Sequence, residues 1–171
     1  MTSGDHPIRQ TFADALNVTL DRKLGVPDAE PMVDYLSEML VRFIHLDGVY
    51  SVRDAHGRRV TSVTEMVAEG DVRLNAVSFE RERDVHRHIG DFLLFWSGMF
   101  PEFLRHLKAP MGKDALLDPI RQGQMSYYVV STFDYGRYAD EAPTFRRLSE
   151  EFEACRLGLS LMRDTFEGLR A

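Results

Sequence analysis

The sequence contains almost no cysteine: its 171 residues include only Cys155. One cysteine cannot form a disulfide within the chain or supply the paired thiolates of a structural zinc site. A chain of this length buries roughly two-thirds of its surface on folding, so its stability requires neither kind of cross-link. We therefore expect one domain, residues 1–171, held together by an apolar core.

The sequence also lacks a long apolar run and an excess of positive charge. Its most apolar stretch, residues 92–103, is shorter than the roughly 20 residues that cross a bilayer. The net charge is −6, which disfavours binding to the phosphate backbone of nucleic acids. The first residues, MTSGDHPIRQ, contain no apolar segment of the kind found in signal peptides. These features predict a cytoplasmic protein that binds neither nucleic acid nor membranes.

Apolar residues recur with the period of an α-helix along most of the chain. The clearest stripe follows Pro143, a residue typical of a first helical turn. Such a stripe is typical either of a coiled-coil dimer or of the core face of a bundle, and its length of under four heptads favours the bundle. The stripe consists of Leu148, Phe152, Cys155, Leu159, Met162, Phe166 and Leu169.

The other apolar patterns predict an all-α single-domain helical bundle of about six helices. Residues 92–96 are apolar around the whole helical circumference, which is typical of a helix buried on every side, so we place their helix at the centre. Residues 50–61 interrupt the helical period and predict either a small hairpin or an irregular loop. Besides the C-terminal helix, the predicted helices are 7–24, 31–46, 62–70, 72–98 and 118–136, with a short one at 101–107.

Polar residues precede the apolar part of the central helix. On a helical wheel, His88 lies at the edge of the apolar face, with Asp84 one turn before it and Asp91 one turn after it. A histidine and carboxylates in an apolar region need hydrogen-bond partners, which the hydroxyls of Tyr127 and Tyr128 could supply. The acidic and basic residues among 80–87 most simply form a solvated face.

Two glycines interrupt the predicted central helix, Gly90 and Gly98. A glycine inside a helix is unfavourable by about 1 kcal/mol relative to alanine. Such glycines indicate a close approach of another backbone or of a ligand.

Two functions are compatible with this pattern. The favoured hypothesis is a helical protein that acts through protein–protein interaction or self-association, with His88 and Asp91 in a structural polar network. The alternative is a small-ligand- or metal-binding protein with an interior pocket centred on His88 and Asp91; as an enzyme it would use His88 as ligand or base. A metal is the less favoured ligand, because no second histidine in a matching position is identifiable. The sequence predicts no cofactor, and the candidate ligand-binding residues are Asp84, His88, Asp91, Tyr127 and Tyr128.

The stretch around His88 resembles one found in a group of uncharacterised bacterial helical proteins. The Tyr127-Tyr128 helix and residues 145–155 (FRRLSEEFEAC) are also similar, and the resemblance covers most of the chain beyond about Asp28. It implies that His88, Asp91 and Glu102 recur with this spacing in relatives, and it names no activity. It depends on Arg87-His88-Ile89-Gly90-Asp91, then Leu94-Phe95, then Gly98-Met99-Phe100-Pro101-Glu102.

Overall fold

The helices of the computed structural model follow the apolar stripes of the sequence. The structure describes residues 5–107, 112, 114 and 116–169, and no β-strand forms among them. The predicted all-α bundle is confirmed, although the described helices are more numerous and shorter than expected. They are α1 (Asp5–Leu16), a π-helical segment (Asn17–Lys23), α2 (Glu30–Phe43), α3 (Leu46–Val49), α4 (Val63–Glu69), α5 (Phe79–Met99), α6 (Phe103–Leu107), α7 (Pro119–Ser131), a 3₁₀ turn (Gly136–Tyr138), α8 (Ala142–Glu150) and α9 (Phe152–Gly168).

Helix α5 lies at the centre and packs most extensively against α7 and α9. Its residues 92–94 have no exposed surface, as the apolar circumference predicts. Phe95 and Trp96 are only partly buried, so the prediction of complete burial is wrong for the last part of the helix. Aromatic rings that follow α5 in the chain pack against these two side chains without covering them completely. The ring centre of Phe103, for example, lies 4.4 Å from that of Trp96.

The central helix begins at Phe79 rather than at residue 72. Asp71 accepts a hydrogen bond from the main-chain N–H of Arg73, which favours a turn over a helix. Ser78 then caps the helix, because its hydroxyl accepts the N–H of Arg81 at 3.1 Å. The residues just before Phe79 therefore form turns with side-chain hydrogen bonds, where the apolar pattern predicts a helix.

The chain before α4 forms a hairpin-like turn. One antiparallel bridge joins Arg53 to Arg59, and Gly57 occupies the left-handed region with φ of +76°. Of the two predicted alternatives, the structure therefore has the turn of a hairpin without extended strands. Val52 and Val60 on either side of it are buried in the core.

The C-terminal stripe forms two helices, α8 and α9, that meet at Glu151. Its ψ of 21° departs from helical geometry, although the main-chain hydrogen bond from Glu151 to Arg147 is kept. Contacts outside the stripe accompany the bend: Arg147 donates to the main-chain oxygens of Pro27 and Asp28. Leu169, predicted as part of the buried stripe, is exposed at the end of α9.

The first and last helices of the bundle touch each other. Helix α1 packs against α2 and α9, and the π-helical segment also lies on α9. A Cβ at Gly158 would lie 2.7 Å from the side chain of Leu20, so the glycine allows the two segments to approach closely. None of the described helices is both long and apolar enough to cross a membrane.

Candidate functional site

The carboxylate of Asp91 is fully buried on α5 and accepts hydrogen bonds from two other helices. Tyr127 of α7 donates its hydroxyl to Oδ1 at 2.7 Å. Tyr35 of α2 donates between the two oxygens, at 2.8 Å from Oδ1 and 2.9 Å from Oδ2. Arg42 of α2 completes the set through Nη2, 3.1 Å from Oδ2. These four residues are called the Asp91 network below.

Local sequence accounts for the way these side chains converge. Tyr35 and Arg42 are seven residues apart, so two helical turns place them on the same face of α2. Tyr127 reaches Asp91 because residue 90 is a glycine: a Cβ there would lie 2.6 Å from the tyrosine ring. The close approach predicted at Gly90 is therefore that of an aromatic ring, rather than of a backbone or a ligand.

Burial and charge fix the protonation of the donors in the network. Burial, followed by the negative charge of Asp91, raises the pKa of Tyr35 and of Tyr127 well above 10.0, so both hydroxyls keep their protons. Burial acts to lower the pKa of Arg42, but Asp91 and Tyr35 together leave it raised. The arginine side chain is 39% exposed while the carboxylate is wholly buried, so this ion pair extends from the core to the surface.

His88 faces inward, as predicted, beside the rings of Phe43 and Phe92. Its Nδ1 lies 3.0 Å from the hydroxyl of Ser51, and its buried Nε2 has no hydrogen-bond partner among the described residues. Burial lowers the pKa of His88 although the charge of Asp91 acts to raise it, so the ring is neutral near pH 7. The ring lies within the electrostatic reach of Asp91 but bonds to a serine that the sequence did not indicate.

Besides His88, two more of the five predicted site residues lie outside the Asp91 network. The side chain of Asp84 is 57% exposed, and its ion contact with Arg83 spans 3.8 Å. Asp84 shares a face of α5 with Asp91, but near the start of the helix this face is open to solvent. Tyr128 is also exposed, with the guanidinium of Arg146 4.6 Å from its ring centre. Adjacent residues of a helix point about 100° apart, so only Tyr127 faces α5.

The prediction that the acidic and basic residues among 80–87 form a solvated face is wrong for Arg83, which is buried, and His86 on the same helix is buried as well. His86 Nδ1 lies 3.1 Å from the hydroxyl of Ser126 on α7. Arg83 donates to Glu141 at 2.7 Å, and its guanidinium carbon lies 4.0 Å from the ring centre of Tyr138. Helix α7 and the chain after it cover this side, an arrangement that local charge pattern does not reveal.

Asp114 forms a second buried polar cluster at the start of α4. It accepts hydrogen bonds from the hydroxyl of Ser62 at 2.9 Å and from the main-chain N–H groups of Val63 and Thr64 at 3.0 and 2.9 Å. Burial opposes the charge, but these hydrogen bonds leave the pKa of Asp114 below its ordinary value. Asp114 therefore acts as a cap that ties its own segment to α4.

Cys155 and Glu102 are two further residues whose side chains could take part in chemistry. Cys155 has no exposed surface, and burial raises the pKa of its thiol to about 12, so it carries no nucleophilic thiolate near neutral pH. Glu102, which the resemblance associates with His88 and Asp91, has a largely exposed carboxylate 4.0 Å from Arg163. In the described part of the chain, no three His, Cys, Asp or Glu side chains are arranged to hold a metal ion.

Four clefts of the described surface are lined by no residue of the Asp91 network. One of about 490 Å³ is lined by Leu24, Pro101, Leu157 and neighbouring residues of α9. Another, of about 300 Å³, lies between the start of α5 and the end of α7.

No family model matches this chain, and no curated protein and no solved structure matches it either.

Proposed function

We propose that the chain acts through self-association, with an apolar surface beside the start of α5 as the contact between two copies. This surface, the α5 surface, consists of Leu74, Val77, Phe79 and Tyr135. The observation that carries the proposal is the exposure of these large apolar side chains, which reaches 92% for Val77 and 65% for Phe79. Contiguous exposed apolar residues with a polar rim are typical of protein interfaces.

The four residues belong to two clefts that share one segment of chain. Phe79 and Tyr135 line the cleft of about 300 Å³, whose floor includes Phe133. Leu74 and Val77 line a second cleft of about 600 Å³. The surface therefore offers two hollows into which apolar side chains of a partner can insert.

The charges around the α5 surface favour a second copy as the partner. A twofold interface places the same surface on both sides, so its rim must be complementary to itself. The described rim carries both acidic and basic side chains, and several are already paired, such as Arg137 with Glu80 at 3.3 Å. A rim of mixed charge reduces the repulsion that the net charge of −6 would otherwise cause between copies. These rim residues are Asp54, Glu69, Asp71, Glu80 and Glu82 with Arg53, Arg73, Arg81 and Arg137.

The Asp91 network supports this function as a structural element. Both carboxylate oxygens already accept hydrogen bonds, so Asp91 has little capacity left for a ligand. By holding α2 and α7 to α5, the network keeps the central helix in place and with it the surface at its start.

Sedimentation velocity over a wide range of protein concentrations tests the proposal. Wild type is expected to shift reversibly from monomer to dimer, and the double variant Val77→Glu/Phe79→Glu to stay monomeric. Glutamate at position 79, in the first turn of α5, and at position 77, just before its cap, suits the positive end of the helix dipole, so this variant should fold. The matched control is Met125→Glu/Leu169→Glu, which adds the same charge at exposed apolar residues elsewhere. The proposal fails if wild type stays monomeric throughout or if both double variants dimerise like wild type.

A further inference from the structure

The cleft of about 490 Å³ lies where α9 crosses the end of α5. A Cβ at Gly98 would lie 2.8 Å from the side chain of Leu159 and 3.2 Å from the main-chain oxygen of Arg156, so the two helices touch closely here. The hydroxyl of Ser160 also donates to the main-chain oxygen of Gly98 at 2.6 Å. The close approach of another backbone that Gly98 predicts is therefore found, and it fixes one wall of the cleft.

The lining of this cleft combines apolar side chains with a few polar groups. Its apolar part comes from Leu24 just after the π-helical segment, from Pro101 after α5, and from Ala154 and Leu157 of α9. Leu157 keeps 49% of its surface exposed. A cleft of this volume with apolar walls and a few convergent polar groups is typical of small-molecule sites.

The polar groups of the lining have unused hydrogen-bonding capacity. Ser97 is only 2% exposed, and its hydroxyl lies 3.4 Å from the main-chain oxygen of Leu94, against about 2.5–3.0 Å for an ordinary hydroxyl bond. Arg156 donates from Nη1 to Glu153 at 2.8 Å, and its Nε is buried without an acceptor in the described part of the chain. The protein thus leaves this hydroxyl and most donors of this guanidinium without a good acceptor, which a ligand can supply.

The charges of the lining select among ligands. One acidic and one basic residue line the cleft, Glu153 and Arg156, so a ligand with a single charge leaves one of them unmatched. A negative ligand is also repelled by a chain whose net charge is −6, whereas an ammonium group alone offers no acceptor to the free donors. A ligand that carries both a carboxylate and an ammonium group meets both requirements.

We propose that this cleft binds an apolar α-amino acid in its zwitterionic form. The carboxylate of the ligand accepts from Arg156 and Ser97, and its ammonium group donates to Glu153. Its apolar side chain packs against Leu157 and the other apolar residues of the cleft. The existing pair of Arg156 with Glu153 opens at little cost, because the glutamate side chain is 64% exposed. The cleft shares no residue with the α5 surface, so this function is independent of self-association.

Leucine and three compounds that each lack one part of it test the site. Calorimetry at neutral pH follows the full chain with leucine, with isocaproate (no ammonium group), with isoamylamine (no carboxylate) and with glycine (no apolar side chain), while sodium chloride keeps the ionic strength constant. Leucine is expected to bind saturably, and each of the others at least roughly tenfold more weakly, because each loses one class of contact. The proposal is overturned if leucine does not bind saturably or if any of the three binds as tightly as leucine.

Variants locate the binding. Arg156→Gln is expected to weaken leucine binding roughly tenfold or more, because it removes charge-assisted hydrogen bonds. Leu157→Ala removes apolar contact at a half-exposed position and should weaken binding roughly threefold or more while the fold stays intact.

The matched control is Arg146→Gln. Arg146 likewise pairs with a glutamate of its own helix, Glu150 at 3.0 Å, but it does not line the cleft, so this variant should bind leucine like wild type. Circular dichroism checks that each variant folds, and Leu157→Ala decides if Arg156→Gln does not. Wild-type binding by either folded cleft variant overturns the assignment to this cleft.

Discussion

Replacing the buried carboxylate by an amide, Asp91→Asn, tests whether the Asp91 network holds the fold. Asparagine has nearly the same shape but one acceptor oxygen in place of two, and no charge. The two tyrosine hydroxyls then compete for one neutral oxygen, and Arg42 Nη2, 3.1 Å from Oδ2, either faces an NH₂ group or takes that oxygen from a tyrosine. The variant therefore removes charge from three contacts without opening a cavity.

The magnitude follows from the partners. A hydrogen bond to a charged group contributes about 1.5–3 kcal/mol, against about 1 kcal/mol for a neutral one. Weakening the bonds from Tyr35 and Tyr127 therefore costs about 2 kcal/mol together, and the loss of the Arg42 pair adds about 1 kcal/mol, because that arginine is 39% exposed and water replaces part of the contact. The total of about 3 kcal/mol is at the lower end of the 3–5 kcal/mol range for broken buried ion pairs.

Urea unfolding followed by far-ultraviolet circular dichroism measures this loss. Asp84→Asn is the matched control: it makes the same chemical change on the same helix at an exposed position, and it should stay within about 0.5 kcal/mol of wild type. The reasoning is refuted if Asp91→Asn is destabilised by less than about 1 kcal/mol. In that case the carboxylate would be available for another role.

Two further predictions concern the packing and the titration of α5. Gly90→Ala is expected to lower the free energy of unfolding by about 2 kcal/mol, because its Cβ would lie 2.6 Å from the ring of Tyr127; Gly168→Ala, with nothing within 4 Å, should gain up to about 1 kcal/mol. Urea unfolding measures both, and a neutral Gly90→Ala would contradict the close packing. Stability should also decrease as pH falls below 6.5, because burial lowers the pKa of His86 and His88 in the folded state, whereas unfolded imidazoles bind protons near 6.5. Thermal unfolding on either side of pH 6.5 measures this slope, which His86→Gln/His88→Gln should reduce; an unchanged slope in that variant would refute the assignment.

Half of the Asp91 network was predictable from the sequence. The apolar circumference of the central helix placed Asp91 in the core, and a buried carboxylate needs donors such as the hydroxyl of Tyr127. Tyr35 and Arg42 were missed, although their spacing of seven residues beside the apolar stripe of α2 is a usable signal. Which helix faces which depends on packing between distant segments, and helical periodicity carries no information about it.

The same limit explains the errors at the polar start of α5 and in the C-terminal stripe. Residues 80–87 are charged in sequence, and only the placement of α7 shows that Arg83 and His86 are buried. The stripe after Pro143 is continuous in sequence, whereas the bend at Glu151 accompanies the anchoring of Arg147 to a loop far away in the chain. Local patterns predict the helices, and contacts between distant residues determine where they bend and which polar groups they bury.

The contact between the π-helical segment and α9 has a consequence for synthesis. Leu20 leaves the ribosome long before Gly158, against which it rests, is translated. Until then, the side chain of Leu20 lacks this part of its packing, so productive folding of the segment waits for α9. Such a dependence on distant pairing slows folding and makes partly translated chains targets for chaperones.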